Sequence, residues 1–243
     1  MNNQILNEFK PEYLETLVHE TPYFLFSKNK IASNYKEYTK YFPTASIQYA
    51  MKANSEPELL QVLNKAGSGF EVASEYELEY LKKLHIDPKK IVYGSSIKPI
   101  KSIKKFVAYG VDRFAFDSLP ELEKIAAVAP GARVYVRMTA NDSGSVYKFS
   151  EKFGTEIDNV VSLLIRAREL GLKPYGISFH VGSQASNELA WGNALKRLAP
   201  VLKELQQSDI TIDIINIGGG YPCEYLSNIE MPTLEAISKH VYT

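Results

Sequence analysis

The sequence predicts an α/β protein built as a parallel (β/α)8 barrel, and three observations predict it. Seven short apolar runs alternate with amphipathic stretches of roughly ten to fifteen residues, the rhythm of parallel strands joined by right-handed helical crossovers. Several helical stretches stop at a glycine suited to a C-cap: Ala66-Gly67, Tyr109-Gly110 and Leu170-Gly171. Polar residues gather directly after the apolar runs, at Lys52-Ala53-Asn54, Ser74, Asp117-Ser118, His180 and Gly218-Gly219-Gly220. In a barrel these positions converge on one mouth, whereas an open doubly wound sheet spreads them along an edge, so the barrel is preferred.

Taken in order, residues 1–22 form a lead-in with a short helix over 10–20, broken by Thr21-Pro22 before the aromatic run Tyr23-Phe24-Leu25-Phe26. A helix follows over 28–41 and ends near Pro43. Strands are then expected at 48–52, 70–73, 91–93, 113–116, 133–138, 175–181 and 213–217. Helices are expected between and after them, at 56–65, 75–84, 100–109, 119–128, 159–170, 189–205 and 233–242; Leu59, Leu60 and Leu63, or Ile103, Phe106 and Val107, mark their apolar sides. No linker or low-complexity stretch interrupts this alternation, so residues 23–243 form one barrel domain. After Gly220 comes a loop with Pro222 and Pro232, then a helix, and an eighth strand is missing. Either the run at 23–26 closes the barrel, or the chain is part of a longer polypeptide.

Composition narrows the function. The chain of 243 residues is long enough for a full core, with 45% hydrophobic and 23% charged residues. Its formal charge is zero, which argues for neither nucleic acid nor an anionic membrane surface as partner. The basic cluster from Lys98 to Lys105 is expected on a solvated helix face. A single cysteine, Cys223, excludes an internal disulfide framework and suits a reducing, cytoplasmic location. The N-terminus lacks a secretory pattern, and no apolar run reaches the roughly 18 to 20 residues that cross a bilayer.

Four stretches carry chemistry. Lys52 ends a strand; it is either a strand-end lysine that snorkels to solvent or a lysine in a dry pocket. In the second case its amine is kept neutral and able to form a Schiff base with an aldehyde. Glu71 is an acid within an apolar strand and either pairs with Lys52 from the neighbouring strand or faces outward to solvent or a helix. His180, at a strand end before Gly182-Ser183, suits a ring stacked on a planar ligand beside a hydroxyl, although a lone histidine is commonly structural. Gly218, Gly219 and Gly220 expose backbone N–H groups that can cradle a phosphate, although a tight turn also explains them. Their spacing is not that of a dinucleotide fold. Jointly, these features describe a pyridoxal 5′-phosphate (PLP) site.

The motifs YAMKAN (49–54), GFEVAS (69–74), SFHVGSQ (178–184) and INIGGGYP (215–222), in this order, resemble the fold-type III PLP-dependent decarboxylases. These act on ornithine, lysine, diaminopimelate or carboxynorspermidine and share an alanine racemase-like barrel. RFAFDSLPEL (113–122), VYVRMTANDS (134–143) and the KFG at 152–154 look most like the ornithine/lysine branch. The resemblance implies that Lys52 anchors PLP and that Glu71 lies near it, where that branch usually has aspartate. It also implies that Arg137 is the strand arginine near the cofactor and that His180 stacks on the pyridine ring. Ser183 with Gly218, Gly219 and Gly220 would bind the phosphate. By the same resemblance the complete enzyme is a homodimer acting on a basic amino acid in polyamine metabolism.

Two features of that family are absent from the sequence. One is the Glu-Pro-Gly-Arg motif, whose glutamate pairs with the pyridine nitrogen. The other is the C-terminal β-domain, with its catalytic cysteine, which Cys223 does not match. An inactive cofactor-binding fragment is therefore one expectation for this chain. A non-catalytic single-domain PLP protein of cofactor homeostasis and an alanine racemase-like enzyme are the alternatives.

Overall fold

The computed structural model describes residues 9–17, 20, 22–223 and 231–243. Most of the N-terminal ten residues, three positions of the expected lead-in (18, 19 and 21) and most of the loop between the two late prolines (224–230) lie outside them. The elements run α1 (Pro11–Glu15), α2 (Lys28–Tyr41), β1 (Gln48–Ala50), α3 (Pro57–Ala66), β2 (Gly69–Val72), α4 (Glu75–Lys83), β3 (Ile91–Tyr93), α5 (Ile100–Tyr109), β4 (Arg113–Phe116), α6 (Leu119–Val128) and β5 (Arg133–Arg137). After these come β6 (Ser145–Tyr147), α7 (Val160–Glu169), β7 (Lys173–Ser178), β8 (Ser183–Ala185), α8 (Ala190–Gln207), β9 (Ile214–Asn216) and α9 (Leu234–Val241). Seven strands form one parallel sheet in the order β1-β2-β3-β4-β5-β7-β9, the strands of a curled (β/α) barrel.

Local chemistry explains where these elements begin. Pro57 stands in the first turn of α3, where its missing N–H would be unpaired anyway. Ser74 and Glu77 close a capping box at the start of α4. β7 begins two residues before the sequence suggests, at Lys173, because the ladder accommodates Pro174 with a register shift between Val134 and Tyr135.

Strand register then sorts side chains to two faces. Phe70, Tyr93, Phe114, Val134 and Ile177 point outward, where they are fully buried against Leu60, Leu78, Ile103, Leu122 and Leu164 of the surrounding helices. The partners Tyr49↔Phe70, Val72↔Tyr93, Tyr93↔Phe114, Phe116↔Val136 and Val136↔Ile177 lie on that face. The opposite parity faces the interior of the barrel: Gln48, Ala50, Glu71, Val92, Arg113, Ala115, Tyr135, Arg137, Gly176, Ser178, Ile214 and Asn216.

Three expectations are corrected. The aromatic run 23–26 does not close the sheet: it forms no strand, and Phe24 is 88% exposed. Ser27 directly after it caps α2 by accepting the Lys30 N–H, which commits the run to the approach of a helix. The basic cluster is not wholly solvated, because Lys98 is buried. Its Nζ donates to Ser95 O and Ala115 O and lies 2.9 Å from Glu121 Oε1. Burial lowers the Lys98 ammonium to about 8 although Glu121 opposes the shift. The small antiparallel sheet of β6 and β8 replaces what the sequence presents as loops.

Candidate functional site

The carboxyl ends of the strands bring the expected residues to one end of the barrel. β1 stops at Ala50, and Lys52 sits in the turn closed by the Ala53 N–H on Ala50 O. Lys52 is exposed rather than held in a dry pocket. The cause is topological, since β1 is an edge strand of the sheet, paired on one side only among the described residues.

Glu71 faces inward, which resolves its two sequence alternatives. It makes no ion pair with Lys52 among the described residues. The register opposes Glu71 to Ala50, two residues short of the lysine, and the side chain leans across to β3 instead. There a Cβ on Gly94 would stand 2.5 Å from Glu71 Cγ, so only glycine leaves room for the acid.

Arg137 ends β5 with its guanidinium 5.1 Å from the centre of the Phe153 ring. Burial lowers its pKa from the usual arginine value, while the charges of Glu71 and Asp117 oppose that shift. His180 follows β7, and its Nδ1 accepts the Gly182 N–H at 3.0 Å, which fixes a neutral ring with the proton on Nε2. Burial, then the cations Arg137 and Lys52, hold His180 at about 4, with Asp142 opposing them. Phe149 meets the ring edge-to-face at 5.2 Å.

The glycine loop packs directly on this histidine. A Cβ on Gly218 would collide with Phe179 O, one on Gly220 with Gly182 O, and one on Gly219 would lie 3.5 Å from His180 Nε2. The Gly218 N–H is taken by Asn216 Oδ1 at 2.9 Å. The Gly219 and Gly220 N–H groups have no protein acceptor among the described residues. Ser183 stands beside them as the first residue of β8, which is tied to the loop by the Ala185 N–H on Gly220 O.

Several contributing residues are not singled out as site residues by the sequence. Asp142 accepts the Phe149 and Ser150 N–H groups and the Ser150 hydroxyl, and so shapes the loop that carries Phe149 to the imidazole. Asp117 accepts the Gly154 N–H. Tyr221 anchors the glycine loop from behind, stacked on Trp191 at 5.0 Å with Tyr38 edge-on at 5.2 Å. A strand-end aspartate or an aromatic after glycine is too common for sequence alone to single out.

The donor set suits PLP. An accessible amine, a neutral imidazole face, two backbone N–H groups unengaged among the described residues beside a serine, and a half-buried arginine match an aldehyde, a flat ring and a phosphate.

Comparison with known proteins agrees. The model of the pyridoxal-dependent decarboxylase family, pyridoxal binding domain, matches residues 28–243. A lysine/ornithine decarboxylase of Selenomonas ruminantium is 34% identical over 91% of this chain and 57% of its own length. A solved structure of SrLDC in complex with PLP and cadaverine superposes with a TM-score of 0.88 at 33% identity, covering 96% of this chain and 60% of the other. An antizyme inhibitor 2 of Xenopus laevis is 30% identical over 82% of this chain and 44% of its own length. The chain thus spans about half the length of the curated relatives it matches. The barrel with its convergent strand ends and the match over nearly the whole chain lead to one conclusion: this chain belongs to the pyridoxal-dependent decarboxylase family, through the pyridoxal-binding domain.

Proposed function

We propose that this domain binds PLP in a decarboxylase of a basic amino acid, of the ornithine or lysine type, with Lys52 holding the cofactor. The observation that carries the reading is the meeting, at one end of the barrel, of Lys52, Arg137, His180 and a glycine loop with two N–H groups unengaged among the described residues. Bound there, PLP supplies an electron sink for the electron pair left when a carboxylate departs as carbon dioxide.

The chain's own residues bind and orient. Lys52 offers its amine at the mouth. His180 presents a neutral face, whose proton on Nε2 is fixed by the Gly182 N–H bond to Nδ1. Gly219, Gly220 and Ser183 would offer hydrogen bonds to a phosphate, and Glu71 and Arg137 would set the charge at the site. Borohydride reduction of the PLP-loaded chain followed by peptide mass mapping tests the anchor. A pyridoxyl adduct on Lys52 is expected; an adduct on another lysine, or none, overturns the assignment.

A second reading, a non-catalytic PLP-binding protein, is favoured by the similarity to an antizyme inhibitor. Any carbon dioxide release from ornithine, lysine or diaminopimelate above that of PLP alone excludes the second reading. Substrate identity, dimerisation and a cytoplasmic location belong to the proposal; among the described residues no helix is long and apolar enough to cross a membrane.

A further inference from the structure

Inside the barrel, below the mouth, the Tyr135 hydroxyl has no partner among the described residues. Tyr135 is 2% exposed, its parity on β5 aims it at the barrel interior, and its hydroxyl makes no hydrogen bond among the described residues. A buried hydroxyl left unpaired costs free energy, and such groups in folded proteins are commonly satisfied by ordered water.

The interior shows where that water would bind. The Glu71 carboxyl leans over Gly94, the residue that follows β3. Ala115 on β4 pairs with Tyr135 on β5, and Tyr93, just before Gly94, pairs with Phe114, just before Ala115. Gly94 and Ala115 therefore lie side by side between Glu71 and Tyr135, and two such small residues leave a gap between acid and phenol. Arg113 faces the same interior; its guanidinium donates to Lys89 O and Ile91 O, and its buried Nε has no partner among the described residues. The charge of Glu71 acts on Tyr135 after burial itself, as expected for groups facing one another across such a gap. No hydrogen bond joins the two side chains directly among the described residues.

We propose that Tyr135 is a positioning residue for Glu71, with a buried water bridging the phenol O–H to the carboxylate across Gly94 and Ala115. The bridge holds Glu71 over β3 and keeps its charge at the candidate cofactor site. The inference rests on the PLP reading only for the ligand that Glu71 serves; the bridge itself belongs to the protein alone.

A double-mutant cycle tests it in the full 243-residue chain, with Tyr135→Phe, Glu71→Met and the two combined. Phenylalanine fills the same volume, and methionine keeps the length of glutamate without an acceptor. In cofactor-free protein, Tyr135→Phe is expected to lower the melting temperature by about 2–4 °C, the effect of one hydrogen bond, and to have no effect in the Glu71→Met background. PLP affinity, followed by quenching of the single tryptophan Trp191, is expected to fall about fivefold for Tyr135→Phe and not at all in the Glu71→Met background. An equal effect in both backgrounds, or none in either, overturns the bridge. Coupling in melting without a change in PLP affinity overturns the positioning role. If the unaltered chain fails to bind PLP, the proposed function falls, and the melting cycle still decides the bridge.

Discussion

Two lysines show how much a residue's surroundings outweigh its motif. Lys52 stands at the end of an apolar strand, yet it is exposed, while Lys98, in an exposed-looking basic cluster, is buried and lowered to about 8. What differs is the cover: α6 brings Glu121 over Lys98, whereas the mouth beside Lys52 is bordered by an edge strand. His180 gives a measurable consequence of such surroundings. Its folded value of about 4 lies below the ordinary 6.5, so the unfolded chain takes up a proton first as pH falls. Folded stability is therefore unaffected by this group above the ordinary value and is lost as pH drops from there toward 4. Between pH 7 and pH 5 the loss amounts to about 2 kcal/mol. Urea unfolding of the unaltered chain and of His180→Gln should show that difference in pH dependence; parallel curves would contradict the neutral buried imidazole.

At the scale of elements, the loop after β9 divides its glycines into two kinds. Gly218 and Gly220 have φ of +71° and +95°, and their α-hydrogens face the carbonyls of Phe179 and Gly182, so a side chain there breaks the packing of β7 on the loop. Gly219 has neither restraint; its open side faces only the His180 ring. Gly219→Val is therefore the informative change, since it leaves the loop standing and fills the cradle. Its PLP dissociation constant should rise at least about tenfold with the melting temperature nearly unchanged, whereas the exposed Lys104→Ala should leave affinity as it was. Equal affinities measured by titration would remove the loop from the phosphate site. The β6–β8 ribbon belongs to the same device: Ser145 Oγ donates to Val181 O, which clamps the segment carrying Gly182 and Ser183.

For the molecule as a whole, the governing feature is an open parallel sheet. β1 pairs only with β2 and β9 only with β7 among the described residues, and Ile215 on β9 is 37% exposed on its outer face. Unpaired strand edges beside apolar surface favour association between copies. The purified chain is expected to self-associate in a concentration-dependent way in sedimentation velocity. It is also expected to release carbon dioxide from ornithine, lysine or diaminopimelate at well under about 1 per second even with excess PLP. A stable monomer turning these over faster would mean that the open sheet is a complete catalyst, and would overturn the fragment reading.

The sequence by itself determined the strands, the helices and the end of the barrel at which chemistry collects. Each of these depends on local periodicity: alternation in Phe70-Glu71-Val72 sets the strand faces, and the apolar spacing of α3 and α5 sets the sides packed against them. The positions of Lys52, Arg137, His180 and the glycines followed, because a strand end is a local property. Only the tertiary structure decided that Glu71 leans toward Gly94 rather than Lys52, that Lys98 is buried, that β6 pairs with β8 and that Tyr135 lacks a partner. These are contacts between residues far apart in the chain, set by sheet register and curvature, and nothing in the local pattern of either partner encodes them.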